Sequence, residues 1–60
     1  MIESELIKGR VYEYNSPSHG KWIDVVYEGK IKKSIYVFYL KDCAINIIEL
    51  RELSNIRKKN

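Results

Sequence analysis

Four aromatic side chains on strand-like segments are the residues of this sequence best suited to bind a ligand. They are Tyr12, Tyr14, Trp22 and Tyr36. On one exposed face they would form a platform for nucleic-acid bases, and such stacking is worth about 1–3 kcal/mol per base. The alternative is that a small chain uses large rings to fill its core. The core is the better interpretation for Tyr27, Phe38 and Tyr39, whereas both interpretations stay open for Tyr12, Tyr14 and Trp22.

Basic residues accompany these rings and could contact phosphates. They are Lys30, Lys32, Lys33, Arg57, Lys58 and Lys59. The chain has 11 Lys and Arg against 8 Asp and Glu, a formal net charge of +3, which permits phosphate contacts without requiring them. The alternative is that lysines on hairpins and sheet edges oppose aggregation. Interleaved acids such as Glu28, Glu49 and Glu52 also dilute any positive patch.

The single cysteine and the single histidine do not form a recognisable catalytic or metal site. A nucleophilic cysteine needs a neighbouring base, and only His19, in a turn-rich segment, could serve Cys43. A structural zinc site normally needs four Cys or His ligands. We therefore expect no enzyme activity, no metal and no cofactor. Cys43 is interpreted as a small, at least partly buried side chain, and His19 as a loop residue.

The short length of the chain limits the interactions that can stabilise its fold. A domain of 60 residues buries only about 60% of the surface that its unfolded chain exposes, and one cysteine cannot form an intramolecular disulfide. Dense aromatic packing, a homodimer or a bound partner must then supply stability. We expect a single domain over residues 1–60, with frayed ends at 1–6 and 55–60.

The sequence also bears on location. No stretch approaches the 18 consecutive apolar residues of a membrane span. The first six residues carry two glutamates, where a signal peptide would carry positive charge. A lone thiol without a secretion signal suits a reducing compartment. We expect a cytoplasmic protein that does not enter a membrane.

Turn residues and apolar alternation divide the chain into strands. The segment 15–20 collects Asn, Ser, Pro, His and Gly, which favour a turn. Strands are predicted at 8–14, 21–28, 34–40 and 44–48. The turn between the second and third strands lies at 28–30 or, alternatively, at 32–34. The third strand is apolar on both faces, which indicates a central strand in a strongly bent sheet.

The segment after residue 43 has two interpretations. One is a strand at 44–48 followed by a helical turn over 49–53. The other is a helix capped by Asn46, with Glu49 three residues later. The apolar residues that follow Asn46 form no clean stripe at helical spacing, so we predict the strand and the short helical turn.

This pattern of strands resembles an SH3-like barrel, and within that class it is loosely similar to Tudor-type modules. The similar features are Gly9-Arg10-Val11-Tyr12, Gly20-Lys21-Trp22, Val37-Phe38-Tyr39-Leu40 and Leu50-Arg51-Glu52-Leu53. The resemblance implies an all-β fold: a small SH3-like barrel of four or five antiparallel strands with a short C-terminal helical turn. Tudor modules that read methylated side chains usually carry an Asp-Tyr-Gly-Asn type turn, where this chain has residues 40–44. The resemblance therefore does not extend to a methyl-reading cage.

These observations predict a binding protein without catalytic activity. The first hypothesis is a nucleic-acid-binding accessory or regulatory protein. It would bind through the four aromatic rings and the six basic residues named above. The alternative is a protein-interaction module, of the kind by which a virus or plasmid modulates a host protein. Exposed aromatic residues with charges of both signs also suit a protein interface, and a homodimer is compatible with the sequence.

Overall fold

The computed structural model describes residues 2–59, which form one antiparallel sheet of five strands. The strands are β1 (Val11–Ser16), β2 (Lys21–Ile31), β3 (Ile35–Leu40), β4 (Cys43–Leu50) and β5 (Ile56–Lys58). Their order across the sheet is β4-β3-β2-β1-β5. The predicted all-β class and the antiparallel arrangement are confirmed. No helix among these residues has the length and apolar character needed to cross a membrane.

Strand β2 is the longest strand, and its two halves pair mainly with different neighbours. Residues 21–26 pair with β1, and residues 25–31 pair with β3. A register shift between Tyr27 and Gly29 marks a bulge, and Gly29 has a φ of 146° that few other residues adopt. The hairpin turn predicted at 28–30 is therefore wrong. The alternative at 32–34 is correct, with Lys32 at a φ of 52°.

The bent sheet does not close into a barrel. Strands β4 and β5 are its outer strands, and within residues 2–59 no backbone pairing joins them. Strand β5 has three residues and covers only part of β1. The five strands thus agree with the prediction, while the closed barrel is corrected to an open sheet that is compatible with a barrel-like fold.

The concave face of the sheet holds the core. Its buried members are Tyr12, Val25, Tyr27, Phe38, Leu53 and Ile56. Phe38 is fully buried and lies at the centre, with ring centroids 5.2 Å from Tyr27 and 6.5 Å from Tyr12. Aromatic packing thus provides the compact core that the sequence predicts for a chain with one cysteine, and the assignment of Tyr27 and Phe38 to it is confirmed. Tyr39 is only half-buried.

The C-terminal helical turn predicted over 49–53 is absent from the described residues. Glu49 and Leu50 belong to β4, where they pair with Val37 and Tyr36. The alternative helix from Asn46 is also wrong, because sheet pairing overrides the weak local preference for helix. Leu53 is buried in the connection to β5, and its carbonyl accepts a hydrogen bond from the Ile56 amide at 3.1 Å.

The described residues of the two ends include segments that contact the sheet. At the start of the chain, Glu3–Glu5 form a 3-10 turn and Leu6 packs against the core. At the other end, Ile56–Lys58 form β5, and Ile56 is 3% exposed. Met1 and Asn60, which also belong to the predicted frayed ends, lie outside the described residues.

Candidate binding groove

The aromatic platform predicted from the sequence loses its first member, because Tyr12 lies in the core. Its side chain is 1% exposed. Its hydroxyl accepts a hydrogen bond from the Ile7 amide at 2.7 Å and donates one to the Glu5 carbonyl at 3.0 Å. Tyr12 therefore anchors the N-terminal segment to the sheet and presents no ring face to a ligand.

The remaining three rings do not share a surface. In the β1–β2 ladder Tyr14 pairs with Ile23, and the next pair is Asn15 with Trp22. Successive pairs of a ladder point to opposite faces, so Trp22 lies on the convex face while Tyr14 packs against the core. The Trp22 ring is covered by the Arg57 guanidinium, 3.9 Å from its centroid. The sequence prediction of one stacking platform is thus corrected.

Tyr36 belongs to a cluster that fastens the N-terminal turn. Its hydroxyl donates to the Glu3 carboxylate at 3.1 Å, and the Lys30 ammonium donates to both Glu3 oxygens at 3.1 Å. These two donors, Lys30 first, hold the pKa of Glu3 below its ordinary value. The Glu3 carboxylate raises the pKa of Lys30. Burial, and then the Glu3 carboxylate, raise the pKa of Tyr36.

Most of the basic residues predicted to contact phosphates are paired with acidic residues of the same chain. The pairs are Lys30–Glu3 at 3.1 Å, Arg57–Glu13 at 2.8 Å, Lys58–Glu5 at 2.8 Å and Lys59–Asp24 at 2.9 Å. Lys32 and Lys33, in the turn at 32–34, are absent from the ion pairs found within residues 2–59. Such exposed pairs contribute little stability, but each acid cancels the positive potential that would attract a phosphate.

A groove lies elsewhere, between strand β4 and the turn that joins β1 to β2. Its volume is about 440 Å³, which is within the usual range for ligand sites. Half-buried apolar side chains that also pack on the core contribute to its lining. They are Tyr14, Ile23, Leu40 and Ile48. The groove can therefore accept apolar groups without exposing the core to water.

Two isoleucines of β4 border the groove and are largely exposed. Ile45 is 86% exposed and Ile47 is 54% exposed. A register shift accounts for the exposure of Ile45: Tyr39 pairs with Ile47, yet the next residue of β3, Leu40, pairs with Cys43. The intervening residues of β4 bulge from the ladder. The sequence analysis placed Ile45 in an ordinary strand, because a bulge depends on pairing with β3 and leaves no local signal.

The opposite wall of the groove is the turn at 16–20. The buried Ser16 hydroxyl lies 2.9 Å from His19 Nδ1, and the Ser16 carbonyl accepts bonds from the amides of His19 and Gly20. This serine–histidine contact spans three residues and stabilises the turn. His19 lies in a loop, as predicted. Cys43 is half-buried at the start of β4.

The lining of the groove is mixed, with polar and apolar groups in nearly equal measure. His19, Ser18 and Asn46 contribute hydrogen-bonding groups, and Ile45 and Ile47 contribute exposed apolar side chains. Exposed apolar surface next to a concave site commonly marks a place where a partner binds. Comparison of the chain with protein-family models, with curated proteins and with solved structures finds no match.

Proposed function

We propose that this chain is a non-catalytic protein-interaction module whose groove receives apolar side chains of a protein partner. The observation that carries the proposal is Ile45, a large aliphatic side chain that is 86% exposed at the border of a groove with apolar and polar groups in its lining. Water solvates such a side chain poorly, and covering it with a partner would be favourable.

Burial of the exposed isoleucines would supply part of the free energy of binding. Full burial of an isoleucine side chain contributes about 1.5–3 kcal/mol. Ile45 and Ile47 are the exposed large apolar side chains that line the groove, so much of this burial free energy remains available to a partner. A typical protein interface covers about 800 Å² of each partner, close to a fifth of the 4288 Å² surface of this chain. The groove and its border form the centre of such an area.

Charge pairing favours a protein ligand over a nucleic acid. Of the six basic residues predicted to contact phosphates, four are paired with acids, and Trp22 lies on the opposite face of the sheet from Tyr14. Nucleic-acid binding, which remains the alternative function, would depend on Lys32 and Lys33 in the turn at 32–34. Neither residue lines the groove, so the two functions can be tested independently.

The experiment is a selection from a displayed library of random peptides, followed by affinity measurements on purified variants. We expect peptides to be enriched on the wild-type protein. Replacement Ile45→Lys should weaken their binding about tenfold to a hundredfold, which corresponds to the loss of one buried isoleucine. Ile31→Lys is the matched control, because Ile31 is 44% exposed and does not line the groove. It should bind like the wild type.

Three outcomes would overturn the proposal. The first is a selection that enriches no peptide dependent on Ile45. The second is tight binding of oligothymidylate that weakens steeply with salt and disappears in the double variant Lys32→Ala and Lys33→Ala. The third is a dimer of doubled mass that Ile45→Lys dissociates, since the groove would then be filled by a second copy of this chain.

A further inference from the structure

We infer that the partner enters this groove as an extended strand that pairs with the free edge of β4. The inference rests on the proposed function and specifies how the partner binds. On one side β4 pairs with β3, and among residues 2–59 no other strand pairs with its second side. The backbone groups along that second side are available to a new strand.

The residues that line the groove show that it runs along this edge. Side chains of a strand alternate between the two faces of the sheet, so a groove on one face is lined by every second residue. Here four consecutive residues of β4 contribute: Ile45, Asn46, Ile47 and Ile48. Ile47 and Ile48 belong to the regular part of the ladder, opposite Tyr39 and Phe38. A groove that touches both faces of a strand follows its edge.

The two outer strands of the sheet differ in how well they are protected from pairing. Strand β5 has three residues, of which Arg57 and Lys58 are charged, and Lys59 follows directly. Short length and basic side chains are the usual means of blocking an edge. Strand β4 has eight residues and one charge, Glu49. A bulge also protects an edge, but it affects only the start of β4, so the regular part at residues 47–50 is the edge that can accept a strand.

The dimensions and chemistry of the groove specify the incoming segment. Paired strands lie about 4.8 Å apart, so a strand bonded to β4 lies in the space between β4 and the turn at 16–20. Its alternate side chains would face Tyr14, Ile23 and Leu40, which line that space. The partner segment is therefore extended, with apolar residues at alternate positions and without proline at those that bond to β4. Because β4 carries one charge, the affinity should depend little on salt.

The test uses a peptide enriched on the wild-type protein and a set of its derivatives, each methylated at one backbone nitrogen. Methylation removes a donor and blocks the approach of β4. We expect methylation at alternate positions of the peptide to lower its affinity about threefold to tenfold or more, as the loss of one hydrogen bond predicts. The intervening positions should change less than threefold. The protein stays wild type, so a folding defect cannot explain the pattern.

Hydrogen exchange provides a second measurement on the same complex. Amides of β4 that do not bond to β3 should exchange more slowly when the peptide is bound. Loss of affinity without alternation, together with unchanged exchange in β4, would overturn the inference. If Ile45→Lys still abolished binding in that case, the proposed function would stand and only the strand pairing would fail. A peptide that binds without dependence on Ile45 would instead refute the proposed function.

Discussion

Replacement of Tyr12 by phenylalanine tests the conclusion that this ring belongs to the structure and not to a binding surface. The substitution keeps the ring against Phe38 and removes only the hydroxyl. Two hydrogen bonds are lost, one from the Ile7 amide at 2.7 Å and one to the Glu5 carbonyl at 3.0 Å. Each bond contributes about 0.5–1.5 kcal/mol net.

Tyr12→Phe should lower the free energy of unfolding by about 1 to 2 kcal/mol, in the lower part of the range for two hydrogen bonds together. The reason is that both bonds are only partly buried, so water can replace some of what is lost. For a domain of this size each kcal/mol lowers Tm by about 4–8 °C. Urea unfolding should show a lower midpoint with an unchanged slope.

Tyr39→Phe is the matched control for this experiment. Tyr39 is half-buried and pairs with Val26, and the tyrosine hydroxyl bonds described within residues 2–59 belong to Tyr12 and Tyr36. The control should change stability by less than about 0.5 kcal/mol. Equal stability of the two variants would refute the assigned role of the Tyr12 hydroxyl.

Two further predictions concern the charged residues. Because the Lys30 ammonium and then the Tyr36 hydroxyl lower the pKa of Glu3 from 4.5, its carboxylate stabilises the fold above about pH 4.5, and this contribution is lost as pH falls through the lowered pKa. Urea midpoints measured between pH 7 and pH 3 should therefore fall less steeply for Glu3→Gln than for wild type; identical slopes would contradict the assigned contacts. Arg57→Ala should uncover the Trp22 ring, shift its fluorescence to longer wavelength and increase quenching by iodide. An unchanged spectrum would contradict the stacking geometry.

The sequence was most informative where alternation of apolar residues is long and regular. The segments predicted at 8–14, 21–28 and 34–40 overlap β1, β2 and β3, because each sets one apolar face against the core. Gly29 led to the wrong prediction of a turn at 28–30, because a glycine within a strand indicates a turn and a bulge equally well. Only its pairing with β3 distinguishes the two.

The features missed from the sequence depend on contacts between distant segments. Strand β5 is three residues long and exists because it pairs with β1, so it has no local periodicity to detect. The exposure of Ile45 results from a bulge set by Tyr39 and Leu40 on the neighbouring strand. Apolar alternation along β1 also does not show which face the N-terminal segment covers. The groove is therefore a property of the tertiary structure.

Binding of a partner in the groove beside β4 can be observed at individual side chains. The most direct measurement is a spectrum of isoleucine methyl groups recorded while an enriched peptide is added to the protein. We predict shifts for Ile45, Ile47 and Ile48, which line the groove, and unchanged signals for Ile7 and Ile31, which are exposed elsewhere. Shifts confined to Ile7 and Ile31, with the groove methyls unmoved at saturation, would contradict the claim.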